Sequence, residues 1–241
     1  MRYRILGSLE VHDGTRLVTP TAPKTASVMS VLLLHANQLV LTDSLVEEIW
    51  NGDPPQSANT TLQTYVYQIR CALGREVVET RPRGYYMPAE EDEHDLLLFR
   101  ARVARGRQLL DADRPDEALS VLRSALGLWR GMPFSNVRVG PVLELDLPLL
   151  EEERRGAAEL TIEAAFAAGR HREVIADLKL LITGDPYNEW LHARLIEALT
   201  VAGRRREALT AYESLRKMLA EHLGLDPMRE VRELERQVLE R

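Results

Sequence analysis

The stretch Pro54–Tyr86, PPQSANTTLQTYVYQIRCALGREVVETRPRGYY, constrains this chain more than any other. A double proline holds the backbone extended and then releases it into a segment with helical spacing, where Ser57 and Asn59 both suit the N-cap. From Ala58 the apolar side chains recur at Leu62, Tyr65 or Val66, Ile69 and Leu73, which makes one buried stripe. At about 100° per residue, Thr60, Thr64, Tyr67 and Cys71 point away from that stripe, with Gln63, Gln68 and Arg70 on its flanks. After Gly74 a β-prone run, Glu76 to Thr80, leads into Arg81-Pro82-Arg83-Gly84 and then Tyr85-Tyr86-Met87. The segment reads as a helix followed by a β-hairpin with a basic tip.

A helix face made of Thr, Gln and Tyr rather than paired Glu and Lys suits base edges. Gln and Arg make bidentate contacts in the major groove, and threonine methyls meet thymine methyls. Thr60, Gln63, Thr64, Tyr67 and Gln68 are therefore the candidate base-facing residues, and Arg70 is a candidate phosphate contact. Arg81 and Arg83 at the hairpin tip would reach a neighbouring groove or phosphates. An ordinary amphipathic helix packed on a hairpin has the same spacing, so this stretch alone leaves both readings open.

The remaining bounds narrow the class. The chain has 241 residues, 45% of them hydrophobic, and a formal net charge of −6, enough for one or two domains with their own cores. The acidic balance argues against blanket affinity for nucleic acid, so DNA binding would need a local surface, base contacts or several copies. Cys71 is the only cysteine, which excludes an intrachain disulfide and a cysteine-based zinc site and leaves a redox switch no resolving partner. The six histidines have no metal-ligand spacing, and no Ser/His/Asp or paired-carboxylate arrangement stands out. No enzyme, metal or cofactor is expected. The N-terminus alternates like a strand, and no stretch nears the roughly 20 apolar residues that span a bilayer. A cytoplasmic protein without a membrane partner is expected.

In chain order, Tyr3–Leu6, Leu9–Val11 and Thr15–Val18 read as short strands, with Asp13-Gly14 as a hairpin turn. Pro23 opens a helix that ends near Asn37. Lys24 in its first turn is unfavourable for the helix dipole, which hints at a phosphate partner beside the ordinary reading of a solvated lysine. Thr42 or Asp43 caps a second helix through Trp50, and Asn51–Pro55 makes a loop. Strands, three helices and a hairpin make a winged helix-turn-helix with an added N-terminal sheet. The acidic run Glu90–Glu93 marks a boundary, giving domains at 1–90 and 95–241.

Everything after Asp95 reads as helix: about 95–111, 115–129, 143–168, 171–183, 188–202, 205–223 and 227–240. Gly169, Gly184, Gly203 and Gly224 fall where C-caps are wanted. Arg170-His171-Arg172-Glu173-Val174-Ile175 resembles Arg204-Arg205-Arg206-Glu207-Ala208-Leu209, 34 residues on, the period of a tetratricopeptide pair. Such hairpins stack into an array that either binds a peptide or merely supports the first domain. The Arg204–Arg206 cluster reads as a solvated face, and Trp50, Trp129 and Trp190 as core anchors.

Taken together, these motifs resemble the Streptomyces antibiotic regulatory proteins over essentially the full length. The matching segments are Arg4-Ile5-Leu6-Gly7, Pro23-Lys24-Thr25, Leu45-Val46-Glu47-Glu48-Ile49-Trp50, Pro54-Pro55 through Arg70, and Gly84-Tyr85. Ala125 to Gly131, Gly203-Arg204 with Glu207-Ala208-Leu209, and Leu223-Gly224-Leu225-Asp226-Pro227 look like the bacterial transcriptional activation domain. The resemblance implies a mainly α protein: an OmpR-like winged helix with an N-terminal β-sheet, then an all-α tetratricopeptide-like domain. It implies an activator that binds direct repeats in double-stranded promoter DNA of antibiotic biosynthetic genes, self-associates there and recruits RNA polymerase holoenzyme. It places the polymerase contact on the loop Asn51–Gln56, with Asn51, Asp53 and Gln56 as candidates. The chain looks like the small type, with neither a receiver nor a nucleotide-hydrolysing domain, and carries no Gly-Lys-Ser/Thr phosphate loop. One departure is that only Arg70 remains of the arginines many such recognition helices carry, which predicts weaker binding per subunit and cooperativity between protomers. The alternative is a protein-interaction scaffold with a degenerate winged helix.

Overall fold

The computed structural model describes residues 1–240, which divide into two compact units. The first joins Met1–Ala112 to Ser120–Glu159; the second joins Asp113–Leu119 to the chain from Leu160 onward.

The first unit opens with an antiparallel sheet, β1 (Arg2–Arg4), β2 (Glu10–Asp13) and β3 (Arg16–Leu17), in register Tyr3 to Val11 and His12 to Leu17. Helix α1 (Pro23–Leu34) is the centre of the unit, with every residue from Thr25 to Leu34 buried. The buried Ser30 hydroxyl donates back to the Ala26 carbonyl, and the Ser27 hydroxyl has the Arg138 carbonyl at 2.8 Å as its nearer acceptor and that of Pro23 at 3.2 Å, so burial leaves neither orphaned. Strand β4 (Leu39–Leu41), α2 (Thr42–Trp50), α3 (Ala58–Leu73), β5 (Glu79–Arg81) and β6 (Gly84–Tyr86) complete the winged helix. The second sheet runs β4-β6-β5, all antiparallel. Gly84 is obligatory there: a Cβ on it would sit 2.1 Å from the Val40 carbonyl oxygen.

Several local expectations are corrected. Strand β4 is not evident in the sequence, and it pairs the wing to the helices. The β-prone run starts late, because Arg75–Val77 forms a 3-10 turn that buries Val77, and pairing begins only at Glu79. Ser57 is the N-cap of α3 but makes no side-chain capping bond, and α2 is preceded by Leu41 with none either. Trp129 is buried as expected, whereas Trp50 and Trp190 are half-buried.

Helix α4 (Asp95–Asp111), the Ser120–Leu126 part of α5 (Pro115–Leu126), and α6 (Pro141–Ala167) as far as Glu159 belong to the same unit. Phe99, Ala125, Trp129, Phe134, Leu143 and Leu150 share one core with Ile5, Leu6, Leu9, Met29 and Leu33. Each leucine-, isoleucine-, methionine- or phenylalanine-sized side chain there contributes about 1.5–3 kcal/mol relative to exposure. The segment after Glu90–Glu93 is therefore locked in place. His94 bridges to Tyr3, and the Asp95 carboxylate accepts the N–H groups of Ile5 and Leu6 at 2.9–3.0 Å.

The second unit is helical, holding the start of α5 and the end of α6, a 3-10 turn His171–Val174, then α7 (Ile175–Gly184), α8 (Glu189–Val201), α9 (Arg205–Leu223) and α10 (Arg229–Glu240). Neighbouring helices in sequence pack on each other, and α10 folds back on α8 and α9. Helix boundaries fall within a few residues of the spacing-based ones. Gly184 is the exception, since it closes α7 from inside and Asp185 is the C-cap.

Candidate nucleic-acid interface

The α3 stripe forms as its spacing requires: Ala58, Leu62, Val66, Ile69 and Leu73 are buried. Val66 takes the core position, and Tyr65 turns instead to Trp50, ring centroids 6.5 Å apart. On the opposite side Thr60, Gln63, Thr64, Tyr67 and Gln68 are all exposed, Tyr67 to 65%. The Thr64 hydroxyl donates to the Thr60 carbonyl at 3.1 Å. A hydrogen bond with the Cys71 thiol raises the Tyr67 phenol above its ordinary pKa. The segment Ala58–Leu73 holds no acidic residue, so nothing on this face repels a phosphate.

The two flanks of α3 differ. On the wing side Arg70 donates through Nε and Nη2 to the Val78 carbonyl (2.9 and 2.6 Å) and through Nη2 to Thr80 Oγ1 (2.8 Å). Its guanidinium thus braces α3 against β5. Arg81 pairs with Glu79 and lies 5.3 Å from the Tyr86 ring centroid. Arg83 is exposed at the hairpin tip in the left-handed region (φ 67°), following Pro82 as in a type II turn. On the other side the buried Thr25 hydroxyl donates to Gln68 Oε1 at 2.6 Å, leaving the Gln68 amide nitrogen to donate outward. Lys24 is exposed, 5.2 Å from the Trp50 ring centroid. Asn51, Asp53 and Gln56 are exposed on the loop that leaves α2, where Asn51 and Gly52 take positive φ (48° and 83°) and reverse the chain.

Two buried acids escaped the sequence reading. Glu48 on α2 is 5% exposed, and its carboxylate accepts the N–H groups of Gly140, Val142 and Leu143 at 2.7, 3.0 and 3.1 Å. It caps α6 from another part of the chain and occupies the positive end of that helix dipole. Burial raises its pKa, and the three N–H donors oppose the rise. Gly140 permits the approach, since a Cβ there would lie 2.1 Å from the Glu48 carbonyl oxygen. Burial likewise raises the Asp95 carboxyl and lowers His94. His94 stays neutral in its fold position: Nδ1 accepts from Leu96 and Leu97, so Nε2 donates to Leu33. Arg130 lies between Asp95 (3.5 Å) and Glu10 (3.1 Å). No local signal marks the roles of Glu48 and Asp95, because their partners lie dozens of residues away.

A neutral Thr/Gln/Tyr helix face, a hairpin wing and a helical activation region define a winged-helix regulator of transcription. A model of the bacterial transcriptional activator domain matches residues 94–239, and one of the C-terminal domain of transcriptional regulatory proteins matches 18–87. The chain is 34% identical to regulatory protein DnrI of Streptomyces peucetius, over 99% of this chain and 92% of that protein. It is 30% identical to regulatory protein AfsR of Streptomyces griseus, but spans only 24% of it. The solved structure of Mycobacterium tuberculosis EmbR, in complex with a low-affinity phosphopeptide, superposes with a TM-score of 0.90 at 31% identity, over 99% of this chain and 65% of that one. This chain belongs to the Streptomyces antibiotic regulatory protein family. Among the described residues no helix is long and apolar enough to cross a membrane.

Proposed function

We propose that the chain activates transcription by binding direct repeats in a promoter and holding RNA polymerase there. In this reading α3 enters the major groove with Thr60, Gln63, Thr64, Tyr67 and Gln68 toward the bases. Arg83 and Arg81 carry the wing to the adjacent backbone. Arg70 serves mainly to fix the wing angle, since its Nε and Nη2 donors are already engaged by Val78 and Thr80. A second protomer on the next repeat supplies the affinity that a lightly basic helix lacks. The exposed loop Asn51–Gln56 meets polymerase. The observation that carries the reading is the α3 outer face: exposed, free of acids, and built from side chains that pair with base edges.

The test is a binding titration on duplexes selected by the full chain from a random-sequence pool, with one site and with two in tandem. Cooperative binding to the tandem duplex, lost in a Tyr67→Ala and Gln68→Ala double variant that still folds, is the expected result. Selection of no sequence at all would overturn it.

A further inference from the structure

A strap of chain, Trp129 to Pro141, crosses the winged helix within the first unit and is fastened along its length. The Arg130 N–H donates to the Leu6 carbonyl at 2.7 Å. The Asn136 amide accepts from the Leu9 N–H at 2.6 Å and donates to the Leu9 carbonyl at 3.2 Å. The Ser27 hydroxyl, on buried α1, donates to the Arg138 carbonyl at 2.8 Å. Glu48 holds Gly140 at 2.7 Å. The backbone on both sides of Arg138 is therefore pinned, while the Arg138 side chain is exposed.

These fastenings bring Arg138 into the same cleft, about 430 Å³, as Lys24 and Tyr65. Neither cation has an ion pair among the described residues. Two acids share the cleft. Glu48 is buried and spends its carboxylate on the α6 N-terminus; Glu144 is exposed at the rim. The cleft lies on a defined side of α3, because Thr25 hydrogen-bonds Gln68 and Tyr65 lines it. Arg70 and the wing occupy the other flank. A major groove about 12 Å wide is walled by phosphates on both sides. The wing and this cleft lie on opposite flanks of α3, so an α3 inserted as proposed above would set one against each wall.

We propose that Lys24 and Arg138 form a phosphate-gripping pair on the α3 flank opposite the wing. The ligand is the DNA backbone, and Arg138 lies within the residues that match the activator domain, 94–239. The activator segment thereby takes part in holding DNA as well as in activation. This rests on α3 reading DNA as proposed above. Arg138 suits the role as a fork of donors for a phosphate, and its pinned backbone reduces the ordering cost of the contact.

The test uses the full chain on its own selected duplex and on a random duplex, from 50 to 200 mM salt. Each lost phosphate contact removes about 0.9 from the slope of log affinity against log salt. Arg138→Gln should therefore shrink the salt-induced loss over that range about three- to fourfold, and weaken both duplexes alike. Arg138→Lys should keep most of the slope, and Glu144→Gln should tighten binding. Arg206→Gln, in the second unit, should leave the slope unchanged. If Arg138→Gln and Lys24→Gln leave slope and ethylation interference unchanged while Tyr67→Ala still abolishes selection, the pair is wrong and the recognition helix stands. If the unmodified chain selects no duplex, both readings fall together.

Discussion

Helices α3 and α9 bury similar stripes and expose opposite chemistries. In α3 the inner residues are Leu62, Val66, Ile69 and Leu73; in α9 they are Ala208, Tyr212, Leu215 and Leu219. The outer face of α9 is laced with ion pairs, Arg204–Glu207 at 2.6 Å, Glu213–Arg216 at 2.8 Å and Lys217–Glu221 at 3.8 Å. Such i,i+3 and i,i+4 pairs give a helix a few tenths of a kcal/mol each and satisfy its charges. The outer face of α3 has none. Its conformation depends on its buried stripe and on Thr25 and Arg70 at its flanks, and its outer groups are uncharged and exposed. A helix that forgoes intrahelical pairing is the one to examine for function.

The comparison breaks first at the inner faces, where the largest effects are expected and no difference should appear. Leu62→Ala and Leu215→Ala each remove a fully buried side chain. Each should cost about 2–5 kcal/mol in denaturant unfolding. If one were nearly neutral, the two helices would not be held by the same physics.

The outer faces should then separate sharply. Tyr67→Ala and Gln68→Ala should each lose about 1–3 kcal/mol of discrimination for the selected duplex, roughly 5- to 150-fold. Tyr67→Ala should leave unfolding unchanged within about 0.5 kcal/mol, whereas Gln68→Ala should also cost about 1–3 kcal/mol of stability, because it leaves the buried Thr25 hydroxyl without its acceptor. Lys217→Ala should leave DNA affinity untouched. A Tyr67→Ala protein that keeps full affinity would reduce α3 to a second solvated helix.

Arg70 sharpens the contrast between the α3 flanks. Arg70→Lys keeps the charge but loses the fork that holds Val78 and Thr80. A brace predicts a wing that protects less of the adjacent groove in a footprint, with the salt slope retained. Stability should fall by about 1 kcal/mol, since the group is partly exposed. A direct phosphate contact predicts the reverse, with protection kept by either cation.

The fold was legible where the signal is periodic or local. The α3 stripe, the Pro23 and Pro54-Pro55 starts and the 34-residue echo between Arg170 and Arg204 all located their elements. Strand β4 was not, because Leu39-Val40-Leu41 is three apolar residues with no alternation, although Val40 is buried and its neighbours are exposed. Nothing local sets Glu48 apart. A second glutamate in Glu47-Glu48 reads as a solvated helix residue until a partner about 90 positions away removes it from water. Candidate contacts on α3 could be placed on faces from spacing alone. Whether Arg70 points at a phosphate or at its own wing is set by a hairpin that closes ten residues later, and spacing does not encode that angle.

The smallest effect completes the comparison, on the α9 side. Lys217 and Glu221 are both exposed, so their pair is screened by solvent and loses side-chain entropy on forming. A double-mutant cycle on Lys217→Ala and Glu221→Ala should give a coupling of about 0.3–0.5 kcal/mol that fades in high salt. The same pair built into α3, as Thr60→Lys with Thr64→Glu, would add a comparable increment of helix stability. It would also set a carboxylate against the phosphate-lined groove, so DNA affinity should fall while stability holds or rises. That opposition of signs is what a face reserved for DNA requires, and a purely structural α3 would not produce it.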